Sequence, residues 1–244
     1  MNVISTYSSS GFYRKLFLSY LSVVSSVVFT FFLTVTAAFS QRTGPPVAWN
    51  VKEVMYQLHW QGYWVDTSVS PITSVNRQAI VSFQKINGLK RTGKLTENLV
   101  QKIMQAPRPV IKDSLHHFHI EVDLNRQVLF IADSADSLLR IIPVSTGNGK
   151  EFIHPEKGPE FARTPRGKFK VYYKIKGWHK SELGLLYDPL YIYGGFAIHG
   201  AESVPAYPAS HGCVRIPVYV AEVLYPIIPI GTPVIIYGNN PVSN

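Results

Sequence analysis

The sequence predicts a mainly β domain preceded by a small three-helix domain, with a hydrophobic segment at the N-terminus. Three observations predict this. Leu16–Phe39 carries no charge and follows Arg14 and Lys15. Apolar residues between 51 and 105 recur at helical spacing, and from residue 117 onward they alternate or run in short blocks. The 244 residues include 17 Gly and 17 Pro beside many Tyr, Val and Ile, a composition that favours strands and turns.

Residues 1–40 have the order of an export segment: a basic flank, an apolar run, then the small residues Ala37, Ala38 and Ser40. The run exceeds the roughly 7–15 apolar residues of a signal core and nears the ~20 that span a bilayer. It fits a cleaved signal peptide and an uncleaved membrane anchor equally. With the two basic residues on the cytoplasmic side, the rest of the chain is extracytoplasmic. Residues 41–50, with Gly44-Pro45-Pro46, form a linker.

Val51, Val54, Met55 and Leu58 fall at i, i+3, i+4 and i+7, which predicts a first helix ending at Gly62. Ser70-Pro71 marks a loop. Ala79, Ile80 and Phe83 predict a second helix stopped by Gly88, and Leu95, Leu99, Ile103 and Met104 a third. A helical domain over 51–105 follows, then a linker over 106–115 that contains Ala106-Pro107-Arg108-Pro109. Over 116–239 the reading is β. His117, His119, Glu121 and Asp123 alternate with Phe118, Ile120 and Val122. Further strands are expected over 127–132, 138–144, 169–173, 190–198 and 231–237. Thr164–Gly167 fits a type I turn, and Pro217 opens a short helix to Leu224. Residues 177–189 are expected as a loop over the active site.

The formal charge is +9, and removing Arg14 and Lys15 leaves +7 on residues 41–244. The basic residues are scattered without a run, which excludes a nucleic-acid surface and favours mild attraction to a polyanionic cell wall or membrane face. No cysteine or clear carboxylate completes a metal site with His116, His117 and His119, so they are read as an ordinary strand surface; no metal and no cofactor is expected. Trp178, Tyr187, Tyr191 and Tyr193 either line a cleft or fill a core.

The lone cysteine, Cys213, cannot form an internal disulfide, and its surroundings point to a nucleophile. Residues 197–217 place two histidines and one arginine beside it. A thiol gains nucleophilicity by losing its proton to an imidazole. His211, two residues before it, shares a face with it on an extended strand. His199, at the end of the preceding strand, approaches across a sheet. Both remain candidates for the base. An attacked carbonyl becomes an oxyanion, for which backbone N–H groups near Gly212 and Cys213 are candidate donors and Arg215 a charged neighbour.

Ser210-His211-Gly212-Cys213-Val214-Arg215, preceded by Ile198-His199-Gly200, resembles the signature of the L,D-transpeptidase (YkuD-type) catalytic domain. The resemblance runs from about His117 to Tyr237 and includes Ser145-Thr146-Gly147, Thr164–Phe169 and Gly231–Val234. It implies a β-sandwich with Cys213 as the acylated nucleophile and His199 as general base. It further implies that the Gly200 carbonyl orients His199, and that His211 supports the site. Ser210, Gly212 and Arg215 are then expected at the oxyanion or substrate. The implied reaction is attack on a peptidoglycan stem tetrapeptide, release of D-alanine, and transfer of the acyl group to an amine of another stem. Transfer to water would make the protein an L,D-carboxypeptidase. A cysteine peptidase or sortase-like transferase acting on surface proteins, and a non-catalytic wall-binding protein, are the alternatives. Val51–Val65 and Ala79–Ile103 resemble a peptidoglycan-binding-like three-helix domain, although the stretch between its first two helices lacks that family's glycines. This region is expected either to bind glycan or to act as a spacer.

Overall fold

The computed structural model describes residues 49–68 and 73–241, all within one compact unit, Trp49–Asn244. The export segment and the Ser70-Pro71 loop lie outside the described residues. Among those described, no helix is long and apolar enough to cross a membrane.

Helix α1 (Val51–Trp60) is capped by Asn50, whose side chain accepts from the Lys52 N–H, and buries Val54, Met55 and Leu58. The chain reverses at Gly62, where φ is +98°. Helix α2 (Ser74–Ile86) is capped by Thr73 and α3 (Glu97–Gln105) by Thr96. The third helix therefore starts after Leu95, because the Thr96 hydroxyl takes the Leu99 N–H.

Among the described residues, twelve strands follow these three helices. One sheet is built from β1 (His119–Asp123), β2 (Val128–Ala132), β3 (Leu138–Pro143), β6 (Gly167–Lys170) and β12 (Pro233–Tyr237), in the order β3-β2-β1-β12-β6. The second holds β7 (Tyr173–Lys174), β9 (Gly184–Tyr193), β10 (Phe196–Ala201) and β11 (Val214–Pro217), in the order β11-β10-β9-β7, with β8 (Trp178–Ser181) also paired to β9. Strands β4 (Glu151–His154) and β5 (Gly158–Phe161) form a separate hairpin. Helix α4 (Val218–Ile227) starts after Pro217, as expected of a residue without an N–H to satisfy.

The two sheets face one another over a single core. Ile120, Val122, Leu129, Ile131 and Ile236 from the first meet Leu190, Ile198, Val214 and Ile216 from the second, and α4 adds Val220, Ala221 and Leu224. The opposite face of β2 and β3 presents Val128, Phe130, Leu138 and Ile141 to the helices, where Leu58, Ile80, Phe83 and Ile103 cover it. The three helices thus share a core with the sheet instead of standing behind a free linker. Each fully buried Leu, Ile or Phe there contributes about 1.5–3 kcal/mol.

Several local expectations change. The polar face of β1 is interior, not surface: His119 and Glu121 are 0% exposed. The 107–116 segment covers it, with the Lys112 and Asp113 N–H groups donating to the Glu121 carboxylate. His119 Nε2 lies 3.5 Å from Glu121 Oε1. No cluster suited to a metal occurs among the described residues. Thr164–Gly167 forms no turn and runs as irregular chain into β6. The expected strand over 190–198 is two strands joined at Gly194-Gly195, and the one over 169–173 splits between β6 and β7. Residues 177–189 are a β-hairpin, because β8 pairs with β9 from Trp178 to Ser181.

Lys85 of α2 is 2% exposed and donates to the carbonyls of Gln127 (3.0 Å) and Val144 (2.8 Å). Burial lowers its pKa to about 7, and the nearby Arg91 charge pushes the same way. Between pH 7 and the ordinary lysine value the unfolded chain therefore holds a proton that the folded chain lacks. Stability contributed through this group rises with pH across that window. Urea unfolding at pH 7 and pH 9 is expected to show the wild type gaining stability relative to Lys85→Met on going to pH 9; a constant difference between the two would contradict this.

Candidate active site

Strands β10 and β11 pair in parallel, with Ile198 opposite Val214 and His199 opposite Arg215. Ile198, Val214 and Ile216 point into the core. Alternation then sends His199, Arg215 and the preceding Cys213 to the other face. There a cleft of about 670 Å³ is lined by Cys213, His199, His211, Ser210 and Arg215. The structure thus brings together every side chain that the sequence singled out.

The turn carrying Cys213 is held from within. The Ser210 hydroxyl accepts from the Gly212 N–H (3.0 Å) and donates to the Cys213 carbonyl (2.6 Å). Thr164 Oγ1 donates to the Gly212 carbonyl (2.7 Å) and accepts from the Gly147 N–H (2.9 Å). Gly212 sits at φ +142°, and a Cβ there would lie 2.5 Å from the Phe196 ring and 2.9 Å from the Arg163 carbonyl oxygen. Only glycine fits this approach. In this arrangement the Gly212 N–H is donated to the Ser210 hydroxyl, which leaves the Cys213 N–H as the other backbone donor at the turn. Ser210, 2% exposed with its hydroxyl engaged at both ends, braces the turn.

The Ser145–Gly147 segment supports the same turn. Ser145 and Arg215 exchange backbone hydrogen bonds, and the Thr146 carbonyl accepts from the Ala209 and Ser210 N–H groups. Thr146 is in turn gripped by the Gln127 side chain, which donates to its hydroxyl and accepts from its N–H.

His199 is buried, and its Nδ1–H donates to the Gly200 carbonyl at 2.9 Å. That bond fixes the tautomer and leaves Nε2 unprotonated. Burial lowers its pKa to about 4; the bond to Gly200 opposes this and the Arg215 guanidinium adds to it. Glycine is required at 200 because a Cβ would lie 2.9 Å from that of Ala221 in α4. Burial pushes the Cys213 thiol up, against a backbone hydrogen bond with Ala197 and the Arg215 charge, which lower it. Both shifts favour the neutral form, thiol and imidazole, over an ion pair. His211 is exposed on the cleft wall against Phe152, ring centroids 4.7 Å apart, and its pKa is lowered by burial and by Arg215.

Sequence reading expected residues 177–189 over the site, as a loop and not a hairpin, and missed the β4–β5 side of the cleft. The β4–β5 hairpin supplies Phe152, His154, Glu156, Glu160 and Phe161, and the β8–β9 hairpin supplies Trp178, Glu182 and Leu185. His154 Nε2 and Glu182 Oε2 meet at 3.5 Å between the two hairpins. The available signals were the turn residues Gly158 and Gly184, both at positive φ. Of the four aromatics left open, Trp178 and Tyr191 line the cleft, Tyr187 packs against the core, and Tyr193 stacks on Phe196.

A family model of the L,D-transpeptidase catalytic domain (YkuD) matches residues 117–236. An L,D-transpeptidase crystal structure from Xylanimonas cellulosilytica is 36% identical, covers 80% of this chain and 94% of its own, and superposes with a TM-score of 0.71. One from Stackebrandtia nassauensis is 22% identical, with coverages of 79% and 92% and a TM-score of 0.47. No curated protein matches the chain.

The raised thiol can be read directly. Alkylation of Cys213 by iodoacetamide is expected to increase along an ionisation above the ordinary cysteine value; a midpoint near pH 6 would contradict the neutral pair.

Proposed function

The chain belongs to the L,D-transpeptidase family, and from that premise we propose that Cys213 is the nucleophile with which it cross-links peptidoglycan stems. The observation that carries this reading is that Cys213 lines one cleft with His199 and Arg215, which pair across β10 and β11.

The thiol attacks the carbonyl before the terminal D-alanine of a stem tetrapeptide. As the carbon–sulfur bond forms, the thiol proton passes to His199 Nε2, whose Nδ1–H is held by the Gly200 carbonyl. A neutral pair suits this order of events, because the imidazole is free of a proton until attack begins. The tetrahedral oxyanion lies near the Cys213 N–H and the Arg215 guanidinium. His199 then protonates the departing amine of D-alanine, leaving a thioester on the third stem residue. An amine of a second stem gives up a proton to His199 and attacks that thioester, and the sulfur leaves as a thiol. The thioester conserves the energy of the amide, so no nucleotide is needed. This fits an extracytoplasmic setting, where the basic surface favours an anionic wall. His211 and Phe152 form the wall against which the stem lies. Glycan binding by α1–α3 and membrane attachment through residues 1–40 belong to the same reading.

D-alanine release and cross-linked product from a tetrapeptide stem test it. Cys213→Ala is expected to abolish both, and His199→Gln to slow them roughly 10²–10⁴-fold. Unchanged release from Cys213→Ala overturns the proposal, and release without cross-linked product makes the protein an L,D-carboxypeptidase. Since His199 must be unprotonated, with its pKa near 4, the acid limb of kcat/KM is expected near pH 4; a limb near 6.5 contradicts that assignment.

A further inference from the structure

Outside the cleft, the most unusual group is a buried cation with no acid beside it. Lys85 comes from α2, yet both of its hydrogen-bond acceptors belong to the strand domain: the carbonyls of Gln127 and Val144. These are junctions, not arbitrary positions. Val144 immediately precedes the Ser145–Gly147 segment, and its own N–H also donates to the Gln127 carbonyl. Gln127, held at φ +62°, grips Thr146 through its side chain. Thr146 and Ser145 then bond to Ala209, Ser210 and Arg215 on either side of Cys213. The path from the ammonium to the nucleophile's turn is continuous through hydrogen bonds of 2.7–3.1 Å.

A second cation from the helical region reaches the other side of that turn. Arg91, in the stretch between α2 and α3, donates through Nη1 to the Ala206 carbonyl at 2.7 Å, four residues before Ser210. The Ser145 hydroxyl donates to the neighbouring Tyr207 carbonyl at 2.7 Å. The helical element therefore touches both stretches of chain that sandwich the catalytic turn.

We propose that Lys85 and Arg91 are positioning residues for Cys213, which makes the helical element part of the catalytic unit and not merely a wall-binding module or spacer. Burying an ammonium opposed by no carboxylate destabilises the fold. A methionine would fill the same space without that penalty, so the lysine is explained by what it holds and not by stability. The acceptors it satisfies fix where the 127 and 144 backbones meet. A shift of that junction moves the turn that carries the thiol, and displacements on the order of 1 Å at a reacting atom can lower rates about 10²-fold.

The inference rests on the transpeptidase reading, and one assay separates their failures. D-alanine release from a tetrapeptide stem is measured for the full chain as wild type, Lys85→Met, Lys85→Gln and Arg91→Met, with folding checked by circular dichroism. Expected is a fall in kcat of at least about tenfold for Lys85→Met and a smaller fall for Arg91→Met, with KM within about twofold. Lys85→Gln keeps side-chain N–H donors on a chain one bond shorter, and it should restore most of kcat. Folded Lys85→Met and Arg91→Met with wild-type kcat, or a loss confined to KM, overturn the proposal. Should Lys85→Met fail to fold, the kcat of Arg91→Met and Lys85→Gln decides: a lowered kcat in Arg91→Met with activity kept in Lys85→Gln supports it, and any other pattern overturns it. A wild type that releases no D-alanine overturns the transpeptidase reading instead.

Discussion

The parallel pairing of β10 with β11 is the constraint on which the site depends. Its register sets His199 beside Arg215 and sends Ile198, Val214 and Ile216 into the core. A one-residue slip would bury the polar set and expose the apolar one. The register is therefore held by the same hydrophobic burial that holds the two sheets together. Ser145 pins it from the far side by exchanging backbone bonds with Arg215. Cys213 lies one residue before β11, where the sheet ends and a glycine turn can bring the sulfur to the cleft floor.

Electrostatics at that floor follow from burial. His199 is almost wholly enclosed and is drawn toward the neutral form, and desolvation draws the half-buried Cys213 thiol the same way. The Arg215 charge disfavours imidazolium and favours thiolate. In the proposed attack, a developing negative charge would find the Arg215 cation already in place. Preorganisation of this kind acts where charge appears in the transition state.

The helices were readable because their apolar stripes and caps are local: Val54, Met55 and Leu58, or Thr96 before Glu97, lie within one or two turns. The signature around Cys213 was readable because its residues are adjacent in sequence. The β4–β5 hairpin was not, because its strands are four residues each with partly exposed, mixed side chains and little periodicity. The interior polar face of β1 was missed for another reason. Alternation marks two faces but does not say whether a later segment, here 107–116, covers one of them. The engagement of the Gly212 N–H by Ser210, and the reach of Lys85 across 42 and 59 residues to its acceptors, depend on tertiary placement that no local pattern encodes.

The most direct test of the central claim is the mass of the peptide containing Cys213 after brief exposure to a tetrapeptide stem lacking an acceptor amine. A thioester-linked tripeptide acyl group on Cys213, discharged when an acceptor stem is added, is the predicted result. An unmodified Cys213 peptide in a preparation that nevertheless forms cross-links would contradict it.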